Sequence, residues 1–326
     1  MEADLEKILY AELFGGGGGV VEQIMHAQGV RTTASYGGTI YAVWTDDTHI
    51  YVGGATTQTV RKYLKSDLSY IGATANYGGA IWGIWGDSTH IYVGGATTQT
   101  IRKYLKSDLS YIGESANYGG IIRTIWGDST HIYVGGVTTQ TVRKYLKSDL
   151  SYIGATAGYG GSILVTRGDD THIYVGGATT QTVRKYLKSD LSYIGESADY
   201  SGTINAIWGG DSTHIYVGGE TTRKVRKYLK SDLSYIGESG SKGTSIDSLW
   251  GNSDFVYLGG NPIGPQQLLK TDLTAIVAQG GFAPGIIRGM SGDATHLYVS
   301  DADLAQRVSK YPLQRMTRGD TLWVSI

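Results

Sequence analysis

Residues 81–120 read IWGIWGDSTHIYVGGATTQTIRKYLKSDLSYIGESANYGG, and the fold class can be argued outward from this stretch. Short runs rich in Ile, Val, Tyr and Trp (IWGIW, HIYVG, TIRKYLK, SYIGES) alternate with clusters of Gly, Asp, Ser, Thr and Asn (GDST, GATTQ, SDL, ANYGG). β-Branched and aromatic side chains suit a pleated surface and the intervening clusters are turn formers, so the stretch predicts four short strands. No run shows the spacing of 3 and 4 residues between apolar positions that a packed helix needs.

The pattern recurs along the chain. Aligning THIYVGG superposes His49, His90, His131, His172, His214 and His296, with Phe255 in the same slot, at a spacing of 41 residues and once of 42, where Gly209 and Gly210 replace one residue. Four strands in a unit of this length are the signature of a propeller blade, and seven units predict an all-β, seven-bladed β-propeller. Within it the block RKYLKSDLSYIG is repeated letter for letter five times, from Arg61, Arg102, Arg143, Arg184 and Arg226. The segment Gly29–Gly38 (GVRTTASYGG) matches the end of a unit, as in Ile71–Gly79, yet precedes the first one. It is therefore expected to supply the outer strand of the last blade and close the ring, with Thr321–Ile326 as the competing candidate. The domain division is 1–27 for an N-terminal extension and 28–326 for the propeller.

The order of apolar strand, Asp-bearing turn, IYV strand, polar loop and strand–turn–strand ending resembles the NHL and YVTN types of propeller repeat over residues 29–326. The resemblance implies the fold. Related propellers include enzymes, scaffolds and lectin-like binders, so it implies no catalytic residue.

A net charge of −1 provides no positive field for nucleic acid or an anionic membrane, and the absence of cysteine removes disulfides and thiolate chemistry. No apolar run reaches the roughly 18 residues of a membrane span, and MEADLEKILY lacks the basic and apolar regions of a secretion signal. No cofactor or metal site is expected, because histidines recur one per blade without ligand spacing.

Three features are candidate sites. In the KSDL turn, Asp67, Asp108, Asp149, Asp190 and Asp232 are expected to accept backbone N–H bonds, with the neighbouring Lys and Arg lining an outer rim. The DSTH turn holds Asp, Ser and His, but within one tight turn repeated around a ring; Asp87 is expected to cap the turn backbone rather than to serve a triad. The third feature is variation. First strands begin with Ile and then change completely, giving Tyr41, Trp82, Arg123, Leu164, Asn205, Asp247 and Arg288. The first strand of a blade is innermost, so these seven are predicted to gather around the central channel as an asymmetric ligand-binding site. Asp247 and Arg288 are the charged neighbours an enzyme would use there, yet one carboxylate without histidine is thin equipment for acid–base chemistry. The loops ATTQT and ANYGG offer hydroxyls, amides and tyrosines of the kind that suit a glycan. Two RGD tripeptides, Arg167–Asp169 and Arg318–Asp320, are too short to carry meaning.

Residues 1–27 fall outside the repeat. Leu5, Ile8, Leu9 and Leu13 lie at helical spacing, Gly15–Gly19 form a joint, and a second short helix is expected after them. A helix this short needs something to pack on, so the segment reads as an attachment or oligomerisation element holding the propeller to a larger assembly. The resulting expectation is a non-enzymatic structural or binding protein, such as a bacteriophage decoration or host-attachment protein located in the virion. The alternatives are a lectin-like propeller and a cytoplasmic protein-interaction scaffold.

Overall fold

The computed structural model describes residues 30–261, 264–276, 285–301 and 306–313, which form seven four-stranded antiparallel sheets and, among those residues, no helix. The proposed attachment segment, with Leu5, Ile8, Leu9 and Leu13, lies outside the described residues, as does Thr321–Ile326. Blade 2 is representative: Ile81–Gly86, His90–Gly95, Arg102–Leu105 and Tyr111–Glu114 run in order from the innermost strand to the outermost. Inner strands of successive blades touch around a ring, and that of blade 7, Met290–Gly292, meets both Ser245–Gly251 of blade 6 and Ile40–Thr45 of blade 1. The expected closure is present. Arg31–Thr32 is the outer strand of blade 7, with Arg31 opposite Lys310 and Thr32 opposite Ser309.

The apolar core is divided into seven clusters, each shared by two successive blades. Between blades 1 and 2, for example, Ala42 and Tyr51 pack with Ile81, Ile84, Ile91, Val93 and Tyr104. A blade by itself therefore buries little; its stability comes from its neighbours. The tyrosine of the fourth-to-first loop belongs to this core. Tyr36, Tyr77, Tyr118, Tyr159 and Tyr200 are fully buried, and each donates its hydroxyl to a backbone carbonyl at 2.7–3.0 Å.

The RKYLK half of the constant block binds both neighbouring blades. Its first lysine, buried in blades 1–4, donates to a carbonyl of the following blade, as Lys103 does to Lys147 O at 2.7 Å. Its second lysine reaches back to the turn aspartate of the preceding blade: Lys106–Asp46, Lys147–Asp87, Lys188–Asp128, Lys270–Asp211 and Lys65–Asp293 lie at 2.5–3.0 Å. This corrects the expectation of a lysine-lined rim. The long apolar stems pack between blades while the ammonium groups find oxygen across the interface. Asp67 and its copies cap their own turn as expected, with Ser69 N donating to Asp67 Oδ1 at 2.9 Å.

Candidate functional site

In blades 1–6 the pairing of inner and second strands skips one residue. Ile81 faces Gly95 and Gly83 faces Gly94, leaving Trp82 as the extra residue of a β-bulge. The same skip isolates Tyr41, Arg123, Leu164, Asn205 and Asp247. A bulged residue is unpaired in the ladder and its side chain is re-aimed, which frees the position from the packing rules that confine its two neighbours in the strand to small or apolar residues. Arg288 stands at the corresponding place in blade 7, just before its shorter inner strand.

All seven of these side chains line one cavity of about 450 Å³ inside the ring of inner strands. The geometry divides it into two arcs. On one side Tyr41 and Trp82 are stacked, with centroids 3.7 Å apart and planes within 9°. The Arg123 guanidinium lies 3.9 Å over the other face of Trp82, and Arg288 lies 5.7 Å from the Tyr41 ring. On the opposite side Asn205 Nδ2 donates to Asp247 Oδ1 at 3.0 Å and reaches Glu220 Oε1 at 3.5 Å. Burial pushes the Asp247 carboxyl above the usual carboxylate range, against hydrogen bonds from Ser245 and Asn205 and the charge of Arg288. Burial, and then repulsion from Arg288, lower the pKa of Arg123, which stays charged.

Sequence reasoning missed Arg167, Glu220, Ser245 and Asn261, which share the cavity. Two of them were visible as departures from the repeat: Arg167 stands where most blades carry Trp, and Glu220 opens the loop ETTRK where blades 1, 2 and 4 have ATTQT and blade 3 has VTTQT.

The DSTH turns are structural. Asp87 Oδ1 accepts the N–H groups of Thr89 and His90 at 2.9 and 2.8 Å, while Oδ2 takes the Lys147 ammonium and the Tyr92 hydroxyl. Among the described residues no group of three or more His, Cys, Asp or Glu is arranged to hold a metal, and no helix is long and apolar enough to cross a membrane.

No family model matches the chain, and no curated protein matches it. Solved structures do. The chain is similar to U3-55K (TM-score 0.78, 14% identity, 87% of this chain and 98% of that one). It is also similar to the WD40 repeats of RRP9 (0.76, 14%, 87% and 97%) and to the WD40 propeller domain of Doa1 (0.75, 11%, 87% and 96%). Likeness at these identities shows the fold, a seven-bladed propeller. The NHL or YVTN repeat type is not shown by this likeness.

Proposed function

We propose that this chain is a non-enzymatic binding propeller that holds a segment of another protein at the inner-strand cavity. The carrying observation is that the bulge position, the most variable of an otherwise repeated unit, gathers an Arg–Tyr–Trp–Arg stack opposite an Asn–Asp–Glu arc around a single cavity. A ring with one cationic, aromatic arc and one acidic arc suits a peptide segment that carries both signs of charge. Propellers of the WD40 type commonly serve as non-catalytic scaffolds, which supports the reading. So does the chemistry of the cavity: Asp247 is engaged by Asn205, and no His, Lys or Cys is among the lining residues.

A lectin is disfavoured by the same stack. Both faces of Trp82 are covered, one by Tyr41 and one by Arg123, and the loop tyrosines are buried, so neither offers a platform for a sugar ring. Attachment through residues 1–27, and with it the virion role, is a separate proposal, tested by deleting residues 1–19 and asking whether the propeller keeps its melting temperature while leaving its assembly.

The test of the cavity is selection of short peptides from a random library on the immobilised protein, followed by calorimetric titration. Arg123→Gln and Asp247→Asn are each expected to weaken a selected peptide at least tenfold with an unchanged melting temperature. Binding unaltered in both variants would sink the cavity as the ligand site.

A further inference from the structure

Blade 4 carries Arg167 in the slot that holds Trp44, Trp85, Trp126, Trp208 and Trp250 in five other blades. Those tryptophans lean onto a glycine of the following blade, as Trp44 does on Gly86 and Trp126 on Gly168. Between blades 4 and 5 no side chain leans onto the receiving glycine in this way: a Cβ built on Gly209 would meet Ile215 alone, at 3.7 Å. Arg167 does not fill the tryptophan slot. It turns inward to line the central cavity, where it is deeply enclosed yet keeps accessible surface.

Its own hydrogen bonding is slight: Nη1 donates to the carbonyl of Thr166 at 3.0 Å. Among the described residues no carboxylate lies within ion-pair distance of Arg167, and the same holds for Arg123 and Arg288. Burial alone bears on the Arg167 pKa and lowers it. An enclosed guanidinium without a counter-charge is unfavourable until something supplies one. Arg123 adds a second set of donors: its face is taken by Trp82, so its in-plane N–H edge is left for a planar or tetrahedral oxyanion. The buried Ser248 hydroxyl, also in the cavity lining, has no hydrogen-bond partner.

We propose that the cavity is an oxyanion site, in which Arg167 receives a carboxylate or phosphate group of the ligand, with Arg123 a further cation of the same lining. The proposal rests on the cavity being the ligand site and adds the chemistry of the group that enters it. The acidic arc of Asp247, Asn205 and Glu220, on blades 5 and 6, offers groups for the opposite charge in the same cavity.

The experiment uses the full chain and two probes, succinate and inorganic phosphate, titrated calorimetrically at constant ionic strength against chloride. Arg167→Trp restores the residue of the other blades in the slot beside Gly209; Arg167→Gln is the second variant should the larger ring fit poorly. Saturable binding of either probe by the native protein, weakened at least tenfold in a folded Arg167 variant, is the expected result, and the tighter probe identifies the anion. Absence of saturable binding, or equal binding in the Arg167 variants, overturns the proposal. The two readings fail separately. Peptides that carry no acidic group and ignore Arg167→Gln yet need Asp247 would remove the oxyanion site and leave the binding cavity, whereas probes that bind without any selectable peptide would do the reverse.

Discussion

Asp87 accepts two amide N–H bonds, the hydroxyl of Tyr92 and the ammonium of Lys147 from the next blade, so one carboxylate closes a turn and an interface together. Burial works against its ionisation, but the lysine and the amides outweigh it; in blade 1 the same balance holds Asp46 down at about 2 against an ordinary 3.8. Because the folded pKa is the lower one, the stabilisation is complete above about pH 4 and is lost as the pH falls toward 2. Asp46 alone contributes on the order of 1 kcal/mol once solvent screening of its partial exposure is discounted, and repetition in other blades should make acid unfolding steep across that window when followed by circular dichroism. The chain also contains its own control. In blade 6 the aspartate is Asn252, and the residue of blade 7 at the lysine position is Leu313, so carboxylate and ammonium are absent together. Asp87→Asn alone is expected to cost roughly 2–3 kcal/mol by leaving the Lys147 ammonium without its counter-charge, and the pair Asp87→Asn with Lys147→Leu appreciably less; denaturant unfolding of the cycle measures it. The turn-capping role of these aspartates was legible from the DSTH spacing. The lysine partners were not, because they lie in a constant block one blade further along the chain and constancy does not say what a residue touches.

At the scale of the element, the inner strand and its Gly–Gly partner are one device. A Cβ on Gly94 would overlap Ile122 of the next blade, so glycine at this point lets the neighbouring inner strand sit against the sheet. Gly94→Ala should cost about 2–3 kcal/mol through displaced packing, seen as a lower unfolding midpoint. The hairpin between third and outer strands uses the opposite economy. Leu109 adopts φ = 63°, a left-handed conformation that usually calls for Gly or Asn, and its side chain is 6% exposed in the core between blades 1 and 2. Leu109→Gly relieves the backbone but loses the buried side chain, and a net destabilisation of about 1–2 kcal/mol is expected in the same assay. The outer strand differs again: Tyr111 and Ile112 are 50% and 48% exposed, so packing does not account for their identity in five copies. Strands, turns and the seven cavity positions could be read from apolar runs and from variation at one slot. The bulge that aims those positions could not, since it is a property of pairing register between Ile81, Gly83 and their partners rather than of local residue type.

The whole molecule is held by contacts between like units and by one splice. Arg31 and Thr32, from the start of the described chain, complete a sheet whose other strands end at Pro312, and the fully buried Tyr36 follows them. Deleting residues 30–36 should remove cooperative unfolding and lower the midpoint strongly, whereas a circular permutant opened in an exposed turn such as that at Ser148 should fold to the same ring. The closing splice was legible because the sequence before the first unit repeats the end of a unit. The cavity's floor was less so, because Arg167 substitutes for a residue that in other blades points elsewhere. Blades 1–5 are nearly interchangeable, which invites the growing chain to pair a blade with the wrong neighbour. The Asn252–Leu313 junction removes that ambiguity: any arrangement that sets a lysine-bearing blade against Asn252, or Leu313 against a turn aspartate, strands a charge between two sheets. One neutral junction among charged ones thereby acts as a key, admitting the correct order of assembly and penalising every cyclic slip.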